Sequence, residues 1–166
     1  MVQYTPCPAC GEDVTTDSDF CPHCGALLKE DALYCDVHRD TGAAGVCVVC
    51  RRLVCGKCGK RTHGRMTCED HRKVEIVEDW ARVTQSTEIF DAELTRSLLV
   101  SNDFHVQVQN FNSIGYAWDG GGDSPVSRSN INKPAKVFVP LPEYLDAMKT
   151  IQEWESSGAG QNGDQQ

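Results

Sequence analysis

All ten cysteines and two of the five histidines of this chain stand in pairs separated by two residues. The pairs are Cys7/Cys10, Cys21/Cys24, Cys35/His38, Cys47/Cys50, Cys55/Cys58 and Cys68/His71. Two ligands at this spacing converge from a tight turn with backbone amides facing the sulfurs, and two such turns close a tetrahedron around zinc. The pairs therefore predict three Zn2+ per chain with no cysteine left over. A disulfide framework also accommodates an even cysteine count, but it requires neither uniform spacing nor histidines that complete it. A thioredoxin-like redox motif stands singly within a βαβ pattern, which six pairs do not match. Four protein ligands per ion mark structural zinc, because a catalytic zinc keeps a position open for water.

Residues 1–6 show no basic segment followed by an apolar run, so no secretion signal is read there. No apolar stretch approaches the ~18 residues of a membrane span. Together with reduced cysteines, these features predict a cytoplasmic protein with no membrane association. The formal net charge is −8. Ten thiolates and three zinc ions carry it to roughly −12, which opposes general affinity for nucleic acid. Residues 76–166 hold 6 basic and 13 acidic side chains, so the C-terminal half is the acidic part.

Residues 5–29 form the first segment, with Cys7, Cys10, Cys21 and Cys24 as candidate metal ligands. Gly11 and Gly25 follow the second cysteine of each pair, where the turn calls for positive φ. Pro8 and Pro22 stiffen each turn. A segment this short needs a metal or disulfides to fold. It resembles the zinc ribbons common at the start of bacterial and archaeal proteins, modules used for nucleic-acid binding, protein docking or plain stabilisation. His23 is expected to face solvent, since four sulfurs already close the site.

Residues 33–73 form the second segment. Only Arg51–Val54 separate Cys50 from Cys55. So short a gap hinders neighbouring sets of four ligands from folding independently, and an interleaved arrangement relieves it. The expected sites are Cys35, His38, Cys55 and Cys58, then Cys47, Cys50, Cys68 and His71. The pattern is similar to a B-box-type zinc finger, a relative of RING domains. B-boxes commonly end in two histidines, whereas this chain offers Cys68 and His71. His63 is the competing histidine, but Thr62-His63-Gly64-Arg65 reads as a hairpin turn. The resemblance implies protein docking, or a RING-like ubiquitin-type ligase holding a conjugating enzyme on apolar residues. Val48, Val49, Leu53 and Val54 are either that surface or the small core between two zinc ions. Arg51, Arg52, Lys57, Lys60, Arg61, Arg65, Arg72 and Lys73 are candidates for phosphate contact, or a solvated face balancing the anionic sites.

Residues 78–155 contain no cysteine and read strand, helix, strand, long loop, strand, helix. Trp80–Thr84 suit a strand, and Ser86 or Thr87 can cap a helix running to about Val100. Residues 104–109 alternate, with Phe104, Val106 and Val108 inward and His105 toward solvent. Val137 and Val139 share a strand face, and Pro142 suits a helix start. Tyr144, Ala147, Met148 and Ile151 follow helical spacing. The order of Asp79–Val83, Ala92–Leu99, Val137–Pro140 and a final helix is similar to a small bacterial family of proposed signal-transducing proteins. That resemblance implies a compact, ferredoxin-like α+β domain with a regulatory or binding role and no catalytic residues to carry over. Residues 110–135 form a long connection in which Trp118 and Tyr116 either anchor a partner or cover the sheet. Its glycine run lacks the lysine of a phosphate loop. Residues 156–166 are expected to be a disordered tail.

The fold class expected is small zinc-stabilised modules plus α+β: a zinc ribbon, an interleaved two-zinc B-box/RING-like module and a C-terminal domain. The sequence shows no catalytic constellation. It reads as a non-enzymatic, zinc-binding adaptor or regulatory protein acting through a protein partner. Nucleic-acid or ribosome association and a RING-like ligase are the alternatives.

Overall fold

The computed structural model describes residues 3–29, 33–109 and 134–158. The chain divides into two compact units, Met1–Val74 and Glu75–Gln166. Both metal-binding segments lie in the first unit.

The first unit is built from short antiparallel hairpins, two of which carry a cysteine pair in the connection. Strands β1 (Tyr4–Pro6) and β2 (Asp13–Thr15) flank the Cys7–Cys10 turn. Strands β3 (Gly45–Val46) and β4 (Leu53–Val54) flank Cys47–Cys50. Strands β5 (Gly59–Thr62) and β6 (Arg65–Cys68) pair with Thr62 opposite Arg65. His63 and Gly64 form the two-residue connection, with φ 48° and 79°. Two successive positive φ values match the twist of a type I′ hairpin.

The turns have a common construction. Gly11 N–H bonds to Cys7 O and Gly25 N–H to Cys21 O, each at 2.8 Å. Both glycines are left-handed, at φ 81° and 75°. Arg51 takes the same position after Cys50 and the same conformation, at φ 62°, without being glycine. Its guanidinium lies 5.5 Å from the Phe20 ring centroid, a cation–π contact that helps offset the backbone cost.

Phe20 belongs to the first metal segment and Arg51 to the second, and further bonds join the two. Val46 N–H donates to Gly25 O at 2.8 Å, Met66 N–H to Cys24 O at 2.9 Å, and Arg65 Nη1 to His23 O at 3.1 Å. The ribbon's second turn is therefore docked on β3 and β6. Gly45 allows the approach: a Cβ there would stand 2.7 Å from Gly25 O.

Among the described residues the second unit forms a four-stranded antiparallel sheet in the order β7-β8-β10-β9. Its strands are β7 (Ile76–Val77), β8 (Trp80–Ser86), β9 (Gln107–Gln109) and β10 (Ala135–Pro140). Helix α1 (Ile89–Ser101) joins β8 to β9, and β10 inserts between those two strands. Helix α2 (Tyr144–Ser156) follows a 3-10 turn at Leu141–Glu143 that contains Pro142. Both helices pack on β8, β10 and each other. Val137, Phe138 and Val139 are at most 1% exposed, and full burial of each such side chain contributes roughly 1.5–3 kcal/mol. Ala92, Leu99, Ala147 and Ile151 cover them from the helices.

Two local details differ from the expectations, and His105 adds a contact to one that agrees. Helix α1 begins at Ile89, because Ser86 ends β8, where its hydroxyl accepts Glu88 N–H and donates to Asp91 Oδ2, each at 3.0 Å. The alternation of exposure over 104–109 is present, but only Gln107–Gln109 pair in the sheet. His105 is exposed yet not idle: its ring Nδ1 lies 2.7 Å from Glu143 Oε1 and its N–H donates to Glu143 Oε2 at 3.0 Å. Tyr116, Trp118, the glycine run and residues 159–166 lie outside the described residues.

Candidate metal centres

The twelve paired residues come together in three groups of four. These are Cys7, Cys10, Cys21 and Cys24; Cys35, His38, Cys55 and Cys58; and Cys47, Cys50, Cys68 and His71. Within each group the candidate ligand atoms lie within 4.8 Å of one another. His63 belongs to none of them, since it sits at the β5–β6 turn.

The donor sets fit zinc. A Zn–S bond of about 2.3 Å implies tetrahedral edges of about 3.8 Å. The Sγ atoms of Cys7 and Cys24 are 3.9 Å apart, those of Cys10 and Cys21 3.7 Å, those of Cys55 and Cys58 3.8 Å, and those of Cys50 and Cys68 3.8 Å. Both histidines turn Nδ1 inward. His38 Nδ1 is 3.4 Å from Cys55 Sγ, and His71 Nδ1 is 3.8 Å from Cys47 Sγ. All ten cysteines are free thiols, and separations near 3.8 Å are far from the ~2.05 Å of a disulfide.

The thiols within each group differ in how readily they ionise. Burial pushes the Cys7 thiol up, but the amides of Ala9 and Cys10 outweigh it and bring it to about 7. In the second group burial likewise opposes ionisation of Cys35, yet the amides of His38 and Val37 lower it to about 6. Opposite Cys7, Cys21 is pushed up to about 12 by burial and by Cys24 and Cys10, and opposite Cys35, burial and Cys35 itself push Cys58 up. In the third group Cys68 is pushed up to about 12 by burial and by Cys47 and Cys50, whereas Cys50, despite burial, is lowered by the amide and guanidinium of Arg52. Easily ionised sulfurs thus face sulfurs that resist ionisation, and a central dication removes that repulsion.

The interleaved groups enclose a small core. Val48, Val49 and Val54 are buried and Leu53 is half-buried. The first three are therefore core residues and not the enzyme-holding surface that the ligase alternative needs. The basic residues are also partly committed. Arg51 stacks on Phe20, Arg52 bonds Cys50 Sγ and Asp70, Arg61 donates to Gly64 O and Arg65 to His23 O. Along the sequence these residues form one basic set. The docking contacts of Gly25, Gly45 and Met66 carry no motif, and only the adjacency of Arg52 to a ligand pair hinted at its contact.

The second unit holds no metal cluster among the described residues. An open recess of about 490 Å3 is lined by Thr84, Ser86, Asp91, Leu94, Trp154 and Glu155. No helix among the described residues is long and apolar enough to cross a membrane.

Comparison with known proteins agrees with the first group of ligands. A zinc-ribbon domain family model matches residues 3–28. Searches of the curated proteins and of the solved structures returned no match. The chain binds zinc, with a zinc ribbon over 3–28 and two further Cys/His groups consistent with two more zinc sites.

Proposed function

We propose that this protein is a non-enzymatic cytoplasmic adaptor or regulatory protein, whose zinc ions hold a recognition surface for a protein partner. The observation that carries the reading is the closure of the metal centres. Each group supplies four protein donors, which leaves zinc no open position for a reacting water. Ligand interleaving in the second and third groups supports a B-box-type module, a class used for docking. The β8–α1–β9 unit with β10 inserted supports a ferredoxin-like second domain. Its edge beside β8 is taken by β7, which precedes β8 instead of following α2. The recess beside Trp154 is a place for that domain to receive a small regulatory ligand.

Affinity purification of the zinc-loaded full chain, with identification of bound proteins, tests the reading. A partner recovered reproducibly, and lost on chelation, supports it; a chain that purifies alone in several growth states counts against it. Nucleic-acid association is the second reading, favoured by the exposed Lys57, Lys60, Arg72 and Lys73. It predicts RNA or DNA binding that weakens steeply with salt, and no retention on either polymer at low salt removes it.

A further inference from the structure

Arg52 follows the Cys47–Cys50 turn and touches both halves of one metal group. Its Nε donates to Cys50 Sγ at 3.4 Å, and its Nη2 donates to Asp70 Oδ2 at 2.6 Å. Asp70 lies between the ligands Cys68 and His71, in a turn where His71 N–H bonds to Cys68 O at 3.2 Å. Cys47 and Cys68 are buried, whereas Cys50 is partly open to solvent. Cys50 is thus the thiolate of this group that a competing chelator reaches most easily. The guanidinium stands on that sulfur and also reaches across to the loop bearing the other ligand pair.

We propose that Arg52 is a positioning residue of the Cys47/Cys50/Cys68/His71 metal site: it holds the Cys50 thiolate and, through Asp70, the loop carrying Cys68 and His71, and so slows loss of zinc from this site. The chemistry is that of outer-sphere control. A donor on a zinc-bound thiolate holds that sulfur in place, while a fixed loop raises the chance that a detached ligand rebinds. The Arg52–Asp70 pair is largely exposed, with side chains 46% and 67% accessible. An exposed ion pair adds little to folding stability, so a role at the metal separates from a role in the fold.

The test uses the zinc-loaded full chain challenged with excess EDTA, with zinc remaining on the protein followed over time. Wild type is compared with R52A, R52K and D70N, and the same proteins are examined with Co2+ in place of zinc. In R52A, one of the three zinc equivalents should leave about tenfold faster or more, the other two keeping their rates and the thermal midpoint nearly unchanged. D70N should speed the same equivalent by less. R52K, which keeps the charge but cannot span both partners, should rescue it in part. The cobalt–thiolate charge-transfer band should shift in R52A and partly return in R52K. Equal acceleration of all three equivalents with lowered stability would assign Arg52 a merely structural role and overturn the proposal; unchanged release would do the same. If R52A does not accumulate folded, D70N decides, and wild-type release from that protein refutes the clamp.

Discussion

Val46 donates its amide hydrogen to the carbonyl of Gly25 at 2.8 Å, and a Cβ on Gly25 would fall 2.1 Å from the Val46 carbonyl oxygen. This contact joins the ribbon to the two-zinc module, and it exists because neither Gly25 nor Gly45 carries a side chain. Two metal segments that look modular along the chain are thereby packed as one body.

Gly25 and Gly11 provide a matched comparison. Both are left-handed, but a Cβ on Gly11 meets nothing within 4 Å. Gly11→Ala should therefore cost only the backbone term, about 1–2 kcal/mol. Gly25→Ala adds a clash with Val46 O and with Met66 Cβ at 2.9 Å, and overpacking of that kind costs roughly 1–3 kcal/mol more. Thermal unfolding of the zinc-loaded proteins measures the difference. Equal losses for the two variants would mean that the docking contact is not formed in solution.

Zinc counts in paired variants test the interleaving. Elemental analysis should give three zinc ions for the wild type, in keeping with its three ligand groups. C35S/C58S removes two ligands of one group and should lose one ion. C35S/C47S damages both interleaved groups and should lose two. Sequential pairing of neighbouring ligands predicts the reverse order.

Glu75 ties two strands of the second unit together. Its Oε2 is 2.9 Å from Arg82 Nη1 on β8, and its Oε1 is 2.8 Å from Lys136 Nζ on β10. The three side chains are only 24–33% exposed. Glu75→Gln should cost about 1.5–3 kcal/mol in urea titration, with the deficit shrinking as salt is added. Arg96→Ala, which breaks the more exposed pair with Glu93, should cost no more than about 1 kcal/mol. A Glu75→Gln effect as small as that one would show that the bridge is not held.

Tyr144 supplies a pH signature. Burial raises its pKa, and Arg82 offsets this only in part. A group raised in the folded state holds its proton better there than in the unfolded chain. Its contribution is thus complete below the ordinary tyrosine value of about 10 and falls as pH rises through the folded value. Denaturant titrations at increasing alkaline pH should show a shallower decline for Tyr144→Phe than for wild type. Parallel curves would place the hydroxyl in solvent.

Much of the local structure was legible because its causes are local. The turns after Cys10 and Cys24 call for a left-handed residue, and Gly11 and Gly25 supply it. His63-Gly64 marks a tight hairpin, and the spacing of Tyr144, Ala147 and Ile151 marks a helix face that is buried. The start of α1 was misplaced because Ser86 is held in β8 by pairing with Ala135 on a strand far along the chain. Arg51 was invisible as a left-handed residue, since its side chain is steadied by Phe20 from another segment.

The sequence by itself determined the metal chemistry and the grouping of the twelve candidate ligands, because pair spacing and gap length are short-range constraints on how sulfurs can meet an ion. Only the tertiary structure decided what surrounds those ions. Which valines close the core, which arginines are spent on Phe20 and Asp70, and how the ribbon seats on β3 and β6 all depend on contacts between segments distant in the chain. Such contacts follow from shape and burial, and leave no spacing or period to read.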